Sequence, residues 1–182
     1  KLIKNDTVKL DKTIERCDRA VERIAHQIDG VMGFLKESPL EINQLSLLEI
    51  IESSIMGIQV NEKVKIILPT NDVFILGDKI KLESLFYNLI INAVQKFKSN
   101  GIITIKSFEE SKNKIVFTVS DDGDPIPEQF IKNIFEPLYT TKQHGTGLGL
   151  ASCKKIIEQH DGTISASNDP VTFTIFLPSI KS

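Results

Sequence analysis

A two-layer α/β sandwich, with helices on one face of a mostly antiparallel sheet and a long helix ahead of it, is the fold this sequence predicts. Three observations predict it. Apolar residues in the first forty positions step by four and three alternately. Beyond Pro39, short β-rich runs alternate with stretches of helical spacing, and breakers such as Asn100-Gly101 separate them.

The first element spans residues 1–38. Leu10, Ile14, Cys17, Val21, Ile24, Ile28, Val31 and Leu35 form its apolar seam, and Lys12, Glu15, Asp18, Arg19, Glu22 and Arg23 fall off it. A helix this long cannot cover its own stripe, so it either lies on the globular part or pairs with other helices. Pairing in a homodimer is the expectation. Residues 39–182 read as one further domain. Leu45 to Ile58 has helical spacing, whereas Val64 to Leu68 and Val73 to Leu76 are short and β-rich. A strong helix follows from Asp78, its N-cap, to about Lys98, and Asn100-Gly101 turns it into a strand. Ile102 to Ser107 and Lys114 to Val119 alternate as paired strands do. Pro127 to Asn133 reads as a short helix, Gly147 to His160 as a longer one, and Thr163 to Ser167 with Val171 to Leu177 as a closing hairpin.

Composition narrows the function. With 182 residues, 41% hydrophobic and 25% charged, the chain can bury one good core beside one extra element. A net charge of -2 offers no basic face, so nucleic acid is not an expected partner. Cys17 and Cys153 lie far apart without metal-ligand spacing, which suits reduced thiols in the cytoplasm. No apolar run approaches the roughly 18 residues of a membrane span, so no membrane contact is expected of these residues. The chain opens on Lys1 and reads as a piece of a longer protein, any membrane or sensory part of which is expected outside these residues.

Four polar motifs then stand in one order: Asn88-Leu-Ile-Ile-Asn92, Asp121-Asp-Gly123, Phe135-Glu-Pro137 and Gly145-Thr-Gly-Leu-Gly-Leu150. Asn88 and Asn92 are four apart, so both carboxamides leave one face of the helix a turn apart. A carboxamide oxygen is a hard neutral ligand suited to Mg²⁺; a lone pair of this kind is more often simply exposed. Asp121 ends a strand and can only accept hydrogen bonds when ionised, which favours the exocyclic amine of adenine over guanine. Taken alone, Asp-Asp-Gly is usually just a turn. Gly145, Thr146, Gly147, Leu148, Gly149 and Leu150 run into a helix whose free N–H groups attract phosphate. The Gly-Lys-Ser/Thr ending of a Walker loop is missing, so the expectation is a flexible lid. Order and spacing together read as a nucleotide site.

From about Leu45 to Pro178 the chain resembles the ATP-binding catalytic domain of sensor histidine kinases, in the superfamily that also holds gyrase, MutL and heat-shock chaperones. Residues 88–93 are similar to that family's N box, 119–123 and 145–150 to its two glycine boxes, and 134–142 to its F box. His160-Asp-Gly162 and Phe173 to Pro178 match its closing segments. The resemblance implies the Bergerat ATP-binding fold, ATP and Mg²⁺ as cofactors, and a first helix that is the second helix of a dimerisation and phosphotransfer hairpin, joined through Glu37 to Leu48. It implies Asn92 as the Mg²⁺ ligand, Asn88 at the phosphate end, Asp121 on the adenine amine, and Gly123 shaping the turn beside it. By the same resemblance Ile126 would line the nucleotide. Gly145, Gly147 and Gly149, with Thr146, Leu148 and Leu150, fold the lid over the phosphates, and Phe135 anchors the start of that lid. Lys96 and Lys142 are the candidate cations for phosphate, while Gln95 stands where the family often has Lys or Arg.

Two positions depart from the pattern. Pro125 replaces the usual second glycine of the first box, and Pro170-Val171 stands where Gly-Thr is expected; that Thr normally helps to bind adenine. Of the histidines, His26 only faintly echoes an acceptor motif, and His144 and His160 read as structural, so the acceptor is expected outside this chain. The mechanism implied is positioning of Mg-ATP against a hairpin histidine, then relay to an aspartate of a response-regulator receiver domain. A non-catalytic ATP-binding pseudokinase and a pure dimerisation scaffold are the alternatives.

Overall fold

The computed structural model describes residues 38–178 apart from 59, 61, 98, 112, 113, 143 and 144, together with 14, 21 and 31 ahead of them. The chain divides into two compact units, Lys1–Glu37 and Ser38–Ser182. In the first, Ile14, Val21 and Val31 are helical and exposed. Their seam companions Leu10, Cys17, Ile24, Ile28 and Leu35, and also His26, lie outside the described residues.

The second unit runs β1 (Ile42–Ser46), α1 (Leu47–Met56), β2 (Val64–Ile67), β3 (Phe74–Asp78), α2 (Lys79–Val94), β4 (Gly101–Ser111), β5 (Lys114–Asp121), α3 (Glu128–Ile131), α4 (Gly149–Gln159), β6 (Thr163–Ser167) and β7 (Val171–Pro178). Five strands form a mixed sheet in the order β2-β4-β5-β7-β6, in which only the β2–β4 pairing is parallel. The helices pack on it, so the two-layer α/β expectation holds. Helix α2 supplies the centre of the core: Leu82, Leu85, Phe86, Leu89 and Ile90 are all buried. It packs against both α1 and α4, and the Phe86 ring meets Phe117 of β5 at 5.1 Å between centroids.

The expected helix from Leu45 is a correction. Ile42–Ser46 is a strand, paired antiparallel with β3 from Ile42 opposite Asp78 to Ser46 opposite Phe74. The helix starts only at Leu47, because Ser46 is its cap: the hydroxyl accepts the Glu49 N–H at 3.1 Å and donates to Asp72 at 2.7 Å. Ser46-x-x-Glu49 is itself a helix-start signature that marks this boundary. Within the stretch 37–48 expected to join the domains, residues Ile42–Ser46 form β1.

Helix α2 begins as expected, with the Asp78 carboxylate accepting the Lys81 N–H at 3.1 Å. Burial raises the pKa of that carboxyl, but the N–H groups of Glu41 and Lys81 and the charge of Lys81 outweigh it and hold it below the ordinary aspartate range. The helix closes at Val94, four residues earlier than the pattern suggested. Tight turns from Lys96 N–H to Ala93 O (3.0 Å) and Phe97 N–H to Val94 O (3.2 Å) follow, and they swing Lys96 toward the end of β5. Expected strand 102–107 is longer, reaching Ser111 in a hairpin with β5.

Candidate functional site

Because α2 spends its apolar face on the core, its polar residues 88, 92 and 95 line one edge at steps of four and three. Asn88 Nδ2 donates to the Ser84 carbonyl at 3.0 Å, which fixes its carboxamide along the helix. Asn92 Oδ1 and Gln95 Oε1 both accept from one ammonium: Lys142 Nζ lies 2.8 Å from the first and 2.7 Å from the second. Desolvation, and then the charge of Lys96 nearby, lowers the Lys142 pKa from the ordinary lysine value.

The end of β5 forms the opposite wall. Asp121 is 3% exposed, and a carboxylate so buried requires partners. It has them. Lys96 Nζ bridges both oxygens at 2.9 and 3.2 Å, and the Gly123 N–H donates to Oδ1 at 3.1 Å. The neighbouring Asp122 faces the other way and accepts the Ile102 N–H at 2.7 Å, tying the turn to β4. Ile126 is gripped through its backbone by Asn168, which accepts its N–H at 3.0 Å and donates to its carbonyl at 2.8 Å.

The lid segment rises between α3 and α4. Half-buried Phe135 stands edge-on to Phe173 of β7 at 6.3 Å, and Tyr139 meets Phe130 at 5.9 Å. Leu138, 71% exposed, sits at φ 65°, a conformation a branched side chain resists. The chain then doubles back on itself. Gly147 has φ 68°, and a side chain there would run into the backbone of Leu138 and Tyr139. Thr140 Oγ1 accepts the Lys142 N–H at 3.1 Å, and Thr146 Oγ1 accepts the Leu148 N–H at 3.3 Å. Leu148 is buried at the N-cap of α4 and gives its N–H groups no side-chain cap. Gly149 lies against α2: a Cβ there would stand 3.2 Å from Asn88 Oδ1. Gly145, Leu150 and the residues just named thus join the lid to the helix start, while His144 lies outside the described residues.

The candidates therefore gather at three places that meet: the α2 edge, the β5 end and the lid. Thr140, Asn168 and Leu138 escaped the sequence reading. A turn signal at Asn168-Asp-Pro170 could have found the second; the other two lie within residues 134–142, and the F-box resemblance of that stretch is their signal. Val171 is 1% exposed and registers opposite Asp121, so no hydroxyl stands at that point of β7. The next residue, Thr172, is on the alternate face and bonds to Ser120 at 3.0 Å. His160 is structural, as expected: buried, its Nδ1 lies 2.7 Å from the Ile156 carbonyl and its Nε2 accepts the Asp78 N–H at 3.0 Å. Among the described residues no three His, Cys, Asp or Glu side chains gather as a metal cluster, and no helix is long and apolar enough to cross a membrane.

A family model described as histidine kinase-, DNA gyrase B- and HSP90-like ATPase matches residues 77–181. The chain belongs to this ATPase family. Its relatives include sensor histidine kinases. The sensor histidine kinase ZraS of Salmonella typhi is 30% identical over 170 residues, 89% of this chain and 37% of that protein. The heme sensor protein HssS of Staphylococcus aureus strain Newman is 38% identical over 159 residues, 84% of this chain and 34% of that protein. The chain thus spans about a third of the length of these curated relatives. Among solved structures, histidine kinase ThkA in complex with response regulator protein TrrA superposes with a TM-score of 0.72 at 28% identity, covering 93% of this chain and 51% of that one. Full-length ShkA in complex with AMPPNP gives 0.80 at 17% identity, covering 94% and 39%, and shares the fold. The chain carries an ATP-binding domain homologous to those of sensor histidine kinases.

Proposed function

We propose that the chain is the catalytic module of a protein-histidine kinase in a two-component system: it binds Mg-ATP, delivers the γ-phosphate to a histidine on a dimerising hairpin, and so feeds an aspartate on a response-regulator receiver domain. One observation carries the reading: the α2 carboxamides, the buried Asp121 and the start of α4 converge, with Lys96 and Lys142 as the cations among them.

Each group has a part. Asn92 Oδ1 already faces a cation, the Lys142 ammonium at 2.8 Å, so its direction and its donor chemistry fit Mg²⁺. The metal, when bound, neutralises polyphosphate charge as the phosphoryl group leaves. Asp121, its orientation fixed by Gly123, accepts the adenine amine beside Ile126. Asn88 and the uncapped N–H groups at Gly149 serve the phosphate end, and Gly145, Thr146, Gly147, Leu148 and Leu150 shape the cover above it. Lys96, Gln95 and Lys142 complete the phosphate side, and Phe135 holds the cover to the core through Phe173. Phosphoryl transfer is mostly positioning, so this chain needs no general base of its own. The acceptor histidine is proposed to lie outside this chain: both nitrogens of His160 are engaged, His26 only faintly echoes an acceptor motif, and His144 belongs to the lid segment. Exposed Ile14, Val21 and Val31 support pairing of the first helix with a second copy.

The test is phosphorylation of the full-length parent dimer from γ-labelled ATP. The expected product is acid-labile, base-stable phosphate on the hairpin histidine, abolished by Asn92→Ala. A parent dimer that binds Mg-ATP yet never becomes labelled would overturn the kinase reading. Such a result selects a non-catalytic ATP-binding module, a reading with one observation in its favour: apolar Val171 opposite Asp121, where a hydroxyl would assist adenine.

A further inference from the structure

Lys142 joins the lid to α2 through two acceptors of one kind. Its ammonium lies 2.8 Å from Asn92 Oδ1 and 2.7 Å from Gln95 Oε1, both neutral carboxamide oxygens. The other lysine of the site is held differently, with Lys96 bound to both oxygens of the buried Asp121 carboxylate. Both ammoniums donate charge-assisted bonds, but only Lys96 meets an opposite charge, on a carboxylate that is itself buried, so the Lys96 pair is the fixed cation. Lys142 is the exchangeable one. It is also crowded, because desolvation and the positive charge of Lys96 both act against its ammonium.

We infer that Lys142 is an internal occupant of the metal position: its ammonium and a divalent cation use the Asn92 oxygen in turn, never together. This rests on Asn92 as the metal ligand proposed above. Sharing is excluded by distance and charge. A magnesium ion sits about 2.1 Å from a ligand oxygen, which would put it within a few ångströms of an ammonium on the same atom. Gln95 then acquires a role of its own, as the second arm that keeps Lys142 in place until nucleotide phosphates give the ammonium a charged partner. The lid is thereby coupled to metal arrival through one side chain.

Calorimetric titration of ADP into the full 182-residue chain over a series of Mg²⁺ concentrations tests this. The readout is the Mg²⁺ concentration at which ADP affinity has completed half of its rise. Gln95→Met removes one of the two arms without altering any charge, at an exposed position, and should lower that concentration about fivefold, the scale of one net hydrogen bond. Lys142→Met should lower it at least as far. A Gln95→Met chain whose half-rise equals or exceeds the parent's overturns the exchange while leaving the nucleotide site intact. A parent chain that binds no ADP at any Mg²⁺ concentration overturns both this inference and the proposed function.

Discussion

On the floor of the site Asp121 ends a strand paired on both sides, and its carboxylate is pinned by Lys96 and by the Gly123 N–H. On the rim, Leu138 and Lys142 are exposed, and the lid touches the α2 edge through one ammonium on two carboxamides. The floor is built by burial and by backbone ladders that cannot be altered without unfolding; the rim is built by side-chain contacts and two left-handed backbone positions, Leu138 and Gly147. Loops held so lightly open at low free energy, while core elements open only with the whole fold. On the proposed reading, such a division would keep the recognition chemistry fixed and let the cover move.

Breaking the floor should cost the most. Phe86→Ala removes a fully buried ring that packs on Phe117, and the expected loss is about 4 kcal/mol of global stability, read from urea unfolding. Nucleotide binding would fall with the folded fraction. Asp121→Asn attacks the same wall without emptying it. Losing an ionised acceptor should cost roughly 2 kcal/mol of Mg-ADP affinity, close to thirtyfold, and an unchanged affinity would remove Asp121 from the adenine contact.

The same division explains what could be read from the sequence. The floor was legible because it is periodic: α2 shows its apolar face and its Asn88–Asn92 edge at helical spacing, and Asp78 announces its start. Strand β1 was not legible, because Ile42–Ser46 has no alternating pattern of its own and becomes a strand only by pairing with β3. Glycines 145, 147 and 149 set the expectation of a lid, but the contacts of that segment were hidden. Which acceptors Lys142 finds depends on where residues some fifty positions apart come to rest. Val171 was foreseen as a missing hydroxyl; that Thr172 cannot replace it follows from alternation along β7.

A smaller effect, and one confined to the rim, is expected from Gly147→Ala. The residue sits at φ 68°, and its new Cβ would meet the Leu138 and Tyr139 backbone. The lid can escape that strain by opening, so global stability should change by no more than about 1 kcal/mol while Mg-ADP affinity falls about tenfold. Equal losses in both would show that lid and floor unfold together, and the contrast drawn between them would be wrong.

The mildest perturbation of the floor is acid. Asp78 caps α2 through the Lys81 N–H and also accepts the Glu41 N–H at 3.1 Å, and these bonds outweigh burial to hold its folded pKa below the unfolded value. A depressed carboxylate pKa means that the unfolded chain takes up the proton first. Its contribution is therefore complete above the unfolded value near 4 and is lost as pH falls through the folded value beneath it. Asp72, exposed, is lowered against partial desolvation by Ser46 and by the N–H groups around the α1 start, and it adds a second carboxylate with the same sign. Asp78→Asn isolates the first contribution, because Asn caps a helix about as well but does not titrate there. Urea unfolding between pH 3 and pH 6 should show a shallower pH slope for Asp78→Asn than for the parent chain. Parallel slopes would mean that the carboxylate at the head of α2 is held no more tightly in the fold than in the unfolded chain, and the floor would then owe its acid sensitivity to groups elsewhere.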